Sequence, residues 1–325
     1  MRRRVLSIQG GGVNGIFAAG ILARVEDRLA QEGKPCRVGR YFDLVTGTST
    51  GGLIALGVAL EIPAANIFEL YGAKSAIIFP KGGRNFASKL VNKVRNRPFY
   101  NPRPLIDELQ SIFGEKRLGD SITRVVIPAY DLSLDRVCLF KTAHHSLFKS
   151  DYRLKAWEVA AATTAAPFFF PPYDMHPEAK SATFLDGGVW ANNPVLVAAA
   201  ECIHYCGWPR DELDILTISG VRETVEETKW RKLRGLPSML INSQVKGSIA
   251  TAKTLLGDVN GASPPHGKVF DYASDVPSGS FQMDDARSID SLLRKANMYF
   301  RNNDQELFEI FFSKVSEGFQ SEYSL

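Results

Sequence analysis

The stretch "YFDLVTGTSTGGLIALGVAL", residues 41 to 60, constrains the fold of this chain more than any other. An apolar run of strand length meets a serine bracketed by Gly47 and Gly51, and an apolar helical pattern starts directly behind it. A chain that turns from strand to helix over so few residues forces the central residue into a strained backbone conformation. Flanking glycines remove the side chains that would otherwise clash. Ser49 is then held out at the edge of a sheet, at the N-terminus of a helix whose free N–H groups and dipole favour negative charge. The junction is a G-x-S-x-G elbow spelled GTSTG, and it makes Ser49 a candidate nucleophile that still needs a base and an oxyanion site.

The rest of the chain alternates in a way that suits such an elbow. "RVLSIQ" reads as a strand followed by the helical "GIFAAGILARVEDRLAQEG", and "RVVIPAYDLS" and "RVCLFKT" read as neighbouring strands. "LKAWEVAAATTAAP" is helical, "ATFLDGG" is a strand ending in Asp186, and "NNPVLVAAAECIHYC" is a helix with Asn193 as its N-cap. "LDILTISG" closes the strand series. Strands alternating with helices predict an α/β sheet covered on both faces. At 325 residues, with 45% hydrophobic and 23% charged content, one large domain over residues 1–325 is expected, with a core over about 5–220 and a mostly helical extension over about 221–325.

Several function classes fall away on composition. No apolar run approaches the roughly 18 residues of a spanning helix, and the stretch after Arg2-Arg3-Arg4 is too short and polar for a signal-peptide core, so a cytoplasmic protein is expected. Cys36, Cys138, Cys202 and Cys206 are scattered and give a poor zinc site; reduced thiols and no metal are expected. The net charge of +4 makes no case for a nucleic-acid polymer. Basic residues do concentrate between Lys81 and Arg103 (Lys81, Arg84, Lys89, Lys93, Arg95, Arg97, Arg103), either as a solvated face or as a contact to an anionic surface.

The chemistry-bearing residues lie at strand ends. "QGGGVNG" places Gly10, Gly12 and Gly15 in G-x-G-x-x-G spacing between a strand and a helix. That spacing suits a dinucleotide pyrophosphate, which makes an oxidoreductase the rival reading, and equally suits unshielded N–H groups that hold an oxyanion. The next strand carries Asp43 and ends in the serine elbow rather than in the acidic residue a dinucleotide site needs, which favours the oxyanion use. For a base, Asp186 is delivered to the sheet edge by an apolar strand, with Gly187 and Gly188 leaving room beside it. His204 and His266 are the histidines that a Ser…Asp…His order would have to use. Phe168, Phe169 and Phe170 fit either an acyl-chain groove or a buried edge.

GGGVNG at 10–15, GTSTG at 47–51 and DGG at 186–188, in that order and with "AATTAAPFFFPPY" at 161–173 between the last two, resemble the patatin-like phospholipases over about residues 5–220. The resemblance implies a three-layer sandwich with a mostly parallel central sheet and helices on both faces. It also implies a Ser-Asp dyad without histidine, in which Ser49 is the nucleophile, Asp186 takes its proton, and Gly10, Gly11 and Gly12 donate to the oxyanion. The activity implied is hydrolysis of membrane glycerophospholipids without metal or cofactor, by an enzyme peripheral on the inner membrane face when active. Gln9 and Asn14 depart from the family pattern, where an aspartate often precedes the glycines and a cation often stands before the last one. "AKTLLGD" and "MYFRNN" resemble the bacterial patatin effectors of anti-phage signalling, which implies a cyclic dinucleotide activator and a change of homo-oligomeric state. Lys229, Trp230, Arg231, Lys232, Arg234, Arg294, Tyr299 and Arg301 offer the cations and rings such a ligand would engage. A catalytically silent binding module on the same fold is the further alternative.

Overall fold

The structure is a computed structural model that describes residues 2–72, 98–175, 182–224, 236–259, 266–277 and 289–325. Its first half runs through β1 (Arg3–Ile8), α1 (Gly15–Gln31), β2 (Leu44–Gly47), α2 (Thr50–Ala59), α3 (Ala64–Gly72), α4 (Arg103–Phe113) and the hairpin of β3 (Arg124–Asp131) and β4 (Arg136–Lys141). Next come α5 (Ala156–Thr163), β5 (Tyr173–Met175), β6 (Ala182–Asp186), the one-turn α6 (Gly188–Ala191) and α7 (Val195–His204). The chain ends with β7 (Leu213–Thr224), α8 (Leu236–Leu256), β8 (Lys268–Pro277) and α9 (Ile289–Phe311). The eight strands form one sheet in the order β5-β6-β3-β2-β1-β7-β8, with β4 on β3. The pairings β1-β2, β1-β7, β2-β3 and β7-β8 are parallel, so the sheet is largely parallel, as expected.

Each central strand is buried on both faces, which is why it reads as a continuous apolar run rather than an alternation. Side chains nevertheless divide by strand periodicity. Leu6, Ile8, Val45, Val125, Ile127, Leu216 and Ile218 join one core with α1, α2, α5 and α9. Val5, Leu44, Val126, Leu213, Ile215 and Val269 join a second core with Val195, Ala198 and Cys202 of α7 and Val245, Ile249 and Ala252 of α8. Two cores on opposite faces of one sheet make the α/β sandwich.

Along β3, register decides where chemistry is placed. β4 pairs with Val126 through Asp131 and so fills one edge of the strand. β2 pairs with Arg124–Val126 and β6, running the opposite way, with Ala129–Asp131. The two must therefore share the other edge, end to end. Between them stands Pro128, a residue that brings no N–H and is normally excluded from a central strand. It fits here because neither β2 nor β6 pairs with it.

The segment beyond residue 220 holds more than the expected helices. β7 continues to Thr224, and β8, in a stretch expected to be loop and helix, pairs with it from Asp214 to Thr224. The short alternating run "KVFDYASDVP" lies beside Pro and Gly signals that dominate a local reading; its strand character comes from the edge of β7. α9 packs on α1, and the chain after it crosses the N-terminal ends of the central strands. Phe311 stacks on Phe42 at 5.8 Å and Phe312 meets Tyr41 at 5.3 Å. The Ser316 N–H donates to the Arg40 carbonyl and the Glu322 N–H to that of Ala143, both at 2.7 Å. Of the basic stretch, Arg103 is exposed and paired with Asp107 at 2.9 Å, while Lys81, Arg84, Lys89, Lys93, Arg95 and Arg97 lie outside the described residues, as do Lys229, Trp230, Arg231, Lys232 and Arg234.

Phe312 is fully buried, so truncating it tests whether the C-terminal segment belongs to the same folding unit. Phe312→Ala is expected to cost about 3–5 kcal/mol in urea unfolding. A loss below about 1 kcal/mol would mean that the segment is an appendage.

Candidate active site

Parallel pairing brings the ends of β1 and β2 level, with Ile8 opposite Gly47. The Thr48 N–H then donates to the Ile8 carbonyl at 3.1 Å, and the chain turns sharply into α2. At the turn Ser49 has φ 56° and ψ −127°, a conformation that non-glycine residues rarely adopt. Both bracketing glycines are required by close approach: a Cβ on Gly47 would lie 2.1 Å from the Gly51 carbonyl oxygen, and one on Gly51 would lie 2.3 Å from that of Ile8. α2 is buried almost all round, so its N-terminus is fixed behind Ser49, with the Gly51 N–H donating to the Thr48 carbonyl at 2.8 Å.

Asp186 ends β6 opposite Ala129, where it meets the elbow coming off β2. Its N–H donates to the Ala165 carbonyl at 3.0 Å, and its carboxylate accepts from the Gly188 N–H at 2.6 Å. Asp186 is 4% exposed, and burial pushes its carboxyl up to about 6, although the Ser49 hydroxyl and the Gly188 N–H both act to lower it. Gly187 lets the turn pass the sheet, since a Cβ there would sit 2.3 Å from the Pro128 carbonyl oxygen. Beyond it, the Trp190 indole N–H donates to Ala129 at 2.9 Å and anchors α6.

Thr163, at the end of α5, joins the two halves of the site. Its hydroxyl accepts the Ser49 N–H at 3.0 Å and donates to the Pro128 carbonyl at 2.7 Å, so it clamps the strained residue to β3 from a fully buried position. Thr163 is not among the residues that motif spacing singles out. Its signal was a threonine pair in the otherwise apolar "AATTAAP" helix end. Asn193 was expected as the N-cap of α7; the N-cap position is Pro194 instead, and Asn193, one residue earlier, accepts the Val195 N–H at 3.1 Å. Its amide also donates to Thr217 and Ser219, tying the turn after Asp186 to β7.

The glycine loop fits the oxyanion expectation only in part. Gly10 lies against the elbow, where a Cβ would be 3.2 Å from Ser49 Cβ. Its N–H, however, is taken by the Asn192 carbonyl at 2.9 Å, which removes it from the expected donor set. The Gly11 N–H makes only a long contact of 3.3 Å to Thr50 Oγ1. Gly12 has φ 57° and opens a short 3-10 turn that ends at Asn14, and Gly15 starts α1 in ordinary helical geometry. Gln9 Oε1 is buried without a hydrogen-bond partner.

The dinucleotide alternative does not fit this arrangement. The loop is packed on the serine elbow, and Asp43, the acidic residue of the second strand, precedes β2 at the opposite end of the sheet, where it accepts from Arg3 at 3.3 Å and from the Arg4 N–H at 2.8 Å. Neither histidine considered as a base faces Ser49. His204 is exposed at the last turn of α7 against Tyr205, and His266 contacts the Gly267 carbonyl. The three phenylalanines do not share a groove. Phe169 and Phe170 pack on Tyr100, whereas Phe168 is 78% exposed with φ 70°. All four cysteines are free, and burial pushes the Cys138 and Cys206 thiols up to about 12, which makes them inert.

Comparison with known proteins follows the same residues. The sequence profile of the family described as Patatin-like phospholipase matches residues 6–199. A cGAMP-activated phospholipase of Escherichia coli (strain TW11681) is 39% identical over 205 residues, covering 62% of this chain and 56% of that protein. A cGAMP-activated phospholipase of Vibrio cholerae is 37% identical, with 61% and 57% covered, and Patatin-like protein 4 of Arabidopsis thaliana is 37% identical, with 59% and 50% covered. The chain thus spans between half and three-fifths of the length of these relatives.

The carboxyl of Asp186 has a consequence for stability. In the folded protein it holds its proton up to about 6, and in the unfolded chain only to about 3.9. The folded state therefore binds more protons between those values, and stability falls as pH rises through that window. Asp186→Asn is free of this loss. It is expected to match wild type near pH 3.5 and to be more stable at pH 8 by on the order of 3 kcal/mol. A gain equal at both pH values, in chemical unfolding, would contradict the buried-charge account.

Proposed function

This chain belongs to the patatin-like phospholipase family, and we propose that it is a serine acyl hydrolase that releases fatty acids from membrane glycerophospholipids through Ser49 and Asp186. The observation that carries the reading is that the strained elbow brings Ser49 to Asp186 at the end of β6, a carboxyl that burial has made more basic than an exposed one and whose charged form the Ser49 hydroxyl favours. In the first step the Ser49 proton passes to Asp186 as Oγ bonds to the ester carbon, and the carbonyl π pair moves onto oxygen. Collapse of that oxyanion breaks the bond to the glycerol oxygen, which leaves with the proton from Asp186. Water then attacks the acyl-enzyme, Asp186 taking its proton and returning it to Ser49 as the fatty acid departs. Gly11, Gly12 and the N-terminal end of α2 are the backbone groups closest in kind to what the oxyanion needs. No metal or cofactor enters these steps.

Activation by a cyclic dinucleotide, with a change of homo-oligomeric state, belongs to the same proposal. Two of the relatives are cGAMP-activated phospholipases. On α9, Arg294 and Arg301 line a depression of about 410 Å³ with Asn297, Met298 and Asn302, a set that offers cations and amides to a phosphate-bearing ligand. Tyr299 takes no part in that set, because it packs inward between Phe17 and Tyr272. In this reading the enzyme acts as a peripheral protein at the inner membrane face; among the described residues no helix is long and apolar enough to cross a membrane.

Ser49→Ala and Asp186→Ala are expected to abolish hydrolysis of anionic phospholipid vesicles, by about four orders of magnitude or more, with His204→Ala and His266→Ala near wild type. Because Asp186 must be ionised to act as base, the rate should rise with pH on a limb centred at about 6. A histidine variant as damaged as Asp186→Ala, with the fold intact, would replace the dyad by a Ser-His-Asp arrangement. For regulation, low basal hydrolysis that rises at least tenfold with one member of a panel of cyclic di- and trinucleotides is expected. Full activity without nucleotide, or silence to the whole panel, would leave an unregulated lipase.

A further inference from the structure

Among the described residues, the buried side-chain atoms with no hydrogen-bond partner include Gln9 Oε1 and Asn192 Nδ2, both on segments that frame the serine elbow. Asn192 is the more informative. It follows the Asp186–Gly188 turn, is only 7% exposed, and is fixed by its main chain at both ends. Its N–H donates to Gln244 Oε1 at 2.9 Å, and its carbonyl takes the Gly10 N–H at 2.9 Å.

Two glycine contacts locate the carboxamide. A Cβ on Gly10 would lie 2.7 Å from Asn192 Oδ1 and 3.2 Å from Ser49 Cβ; a Cβ on Gly188 would lie 3.2 Å from Asn192 Oδ1 and 3.0 Å from Asp186 Oδ1. The amide thus sits between the glycine loop and the carboxylate, beside Ser49. A half-turn about χ2 exchanges its two ends and aims the NH₂ at that space. In its present place the NH₂ is buried and unpaired, which costs about 1–3 kcal/mol, and the half-turn moves it to the space beside Ser49. A partner that arrives with the substrate removes that cost.

We propose that the Asn192 side-chain amide donates a hydrogen bond to the substrate's carbonyl oxygen as it becomes the oxyanion, replacing the Gly10 N–H that the Asn192 carbonyl has taken. The inference rests on the acyl-hydrolase reading and adds a catalytic residue to it. As Ser49 Oγ bonds to the ester carbon, the π pair moves to oxygen and the serine proton moves to Asp186. Asn192 keeps both its protons and contributes only the hydrogen bond. A neutral donor in a dry site is strong here, because charge develops on oxygen only in the transition state.

The test compares Asn192→Leu and Asn192→Asp, both close to asparagine in size, with wild type and Ser49→Ala in the full chain on phosphatidylglycerol vesicles, with whichever cyclic dinucleotide activates the wild type. Each variant is expected to lose about 100- to 1,000-fold in kcat with KM within about threefold. The melting temperature of Asn192→Leu should not fall, since the side chain removed was an unpaired donor. A folded variant that keeps kcat within about threefold of wild type, or a loss of activity that merely follows a loss of stability, overturns the proposal. So does failure of both variants to fold, which would make the amide a packing element. If wild-type hydrolysis survives Ser49→Ala, the acyl-hydrolase reading itself fails; Ser49-dependent hydrolysis indifferent to Asn192 overturns this inference alone.

Discussion

The structure depends on one meeting of strand ends. β2 and β6 approach each other along a single edge of β3, from opposite directions, and stop short around Pro128. Into that gap the elbow delivers Ser49 and the end of β6 delivers Asp186. No long-range loop has to find its partner, because the register of two strands on a third already sets the separation. Thr163 then spans the gap with one hydroxyl, holding the Ser49 N–H and the Pro128 carbonyl together. Gly47, Gly51 and Gly187 follow from this crowding, since a carbonyl oxygen occupies the place where each of their side chains would begin.

Holding these groups carries two unfavourable terms. Ser49 is kept in a backbone conformation worth on the order of 1–3 kcal/mol of strain, and Asp186 is buried so completely that its carboxyl is pushed up to about 6. Both are tolerated because the surroundings over-determine them. α2 is apolar throughout and packs into the main core, the Asn193 network ties the far side of the turn to β7, and the C-terminal phenylalanines close the opposite end of the sheet. In the proposed chemistry the same two terms are useful, since the strain presents the hydroxyl and the burial makes the carboxylate a better base.

Much of this was legible in the residues. The elbow, the strand carrying Asp186 and the alternation of strands and helices are local signals, written within a few residues of one another. What was not legible depends on long-range pairing. β8 is a strand because β7 offers it an edge, and its own sequence is too mixed to declare one. Thr163 and Asn192 matter through contacts more than a hundred residues away in the chain, to Ser49 and to Gly10. The Gly10 N–H looked like a free donor in a glycine-rich turn. It is occupied because the segment after Asp186 folds back upon it. Tyr299 and the Phe168–Phe170 run were read by residue type alone, and packing sends their rings to different places.

In the proposed chemistry Ser49 is a nucleophile that Asp186 activates. This is tested most directly by treating the protein with a fluorophosphonate and mapping the adduct by mass spectrometry. A single phosphonate on Ser49 is expected, formed at least a hundredfold more slowly when Asp186 is replaced by Asn. An adduct on another residue, or labelling of Ser49 at an undiminished rate in Asp186→Asn, would contradict it.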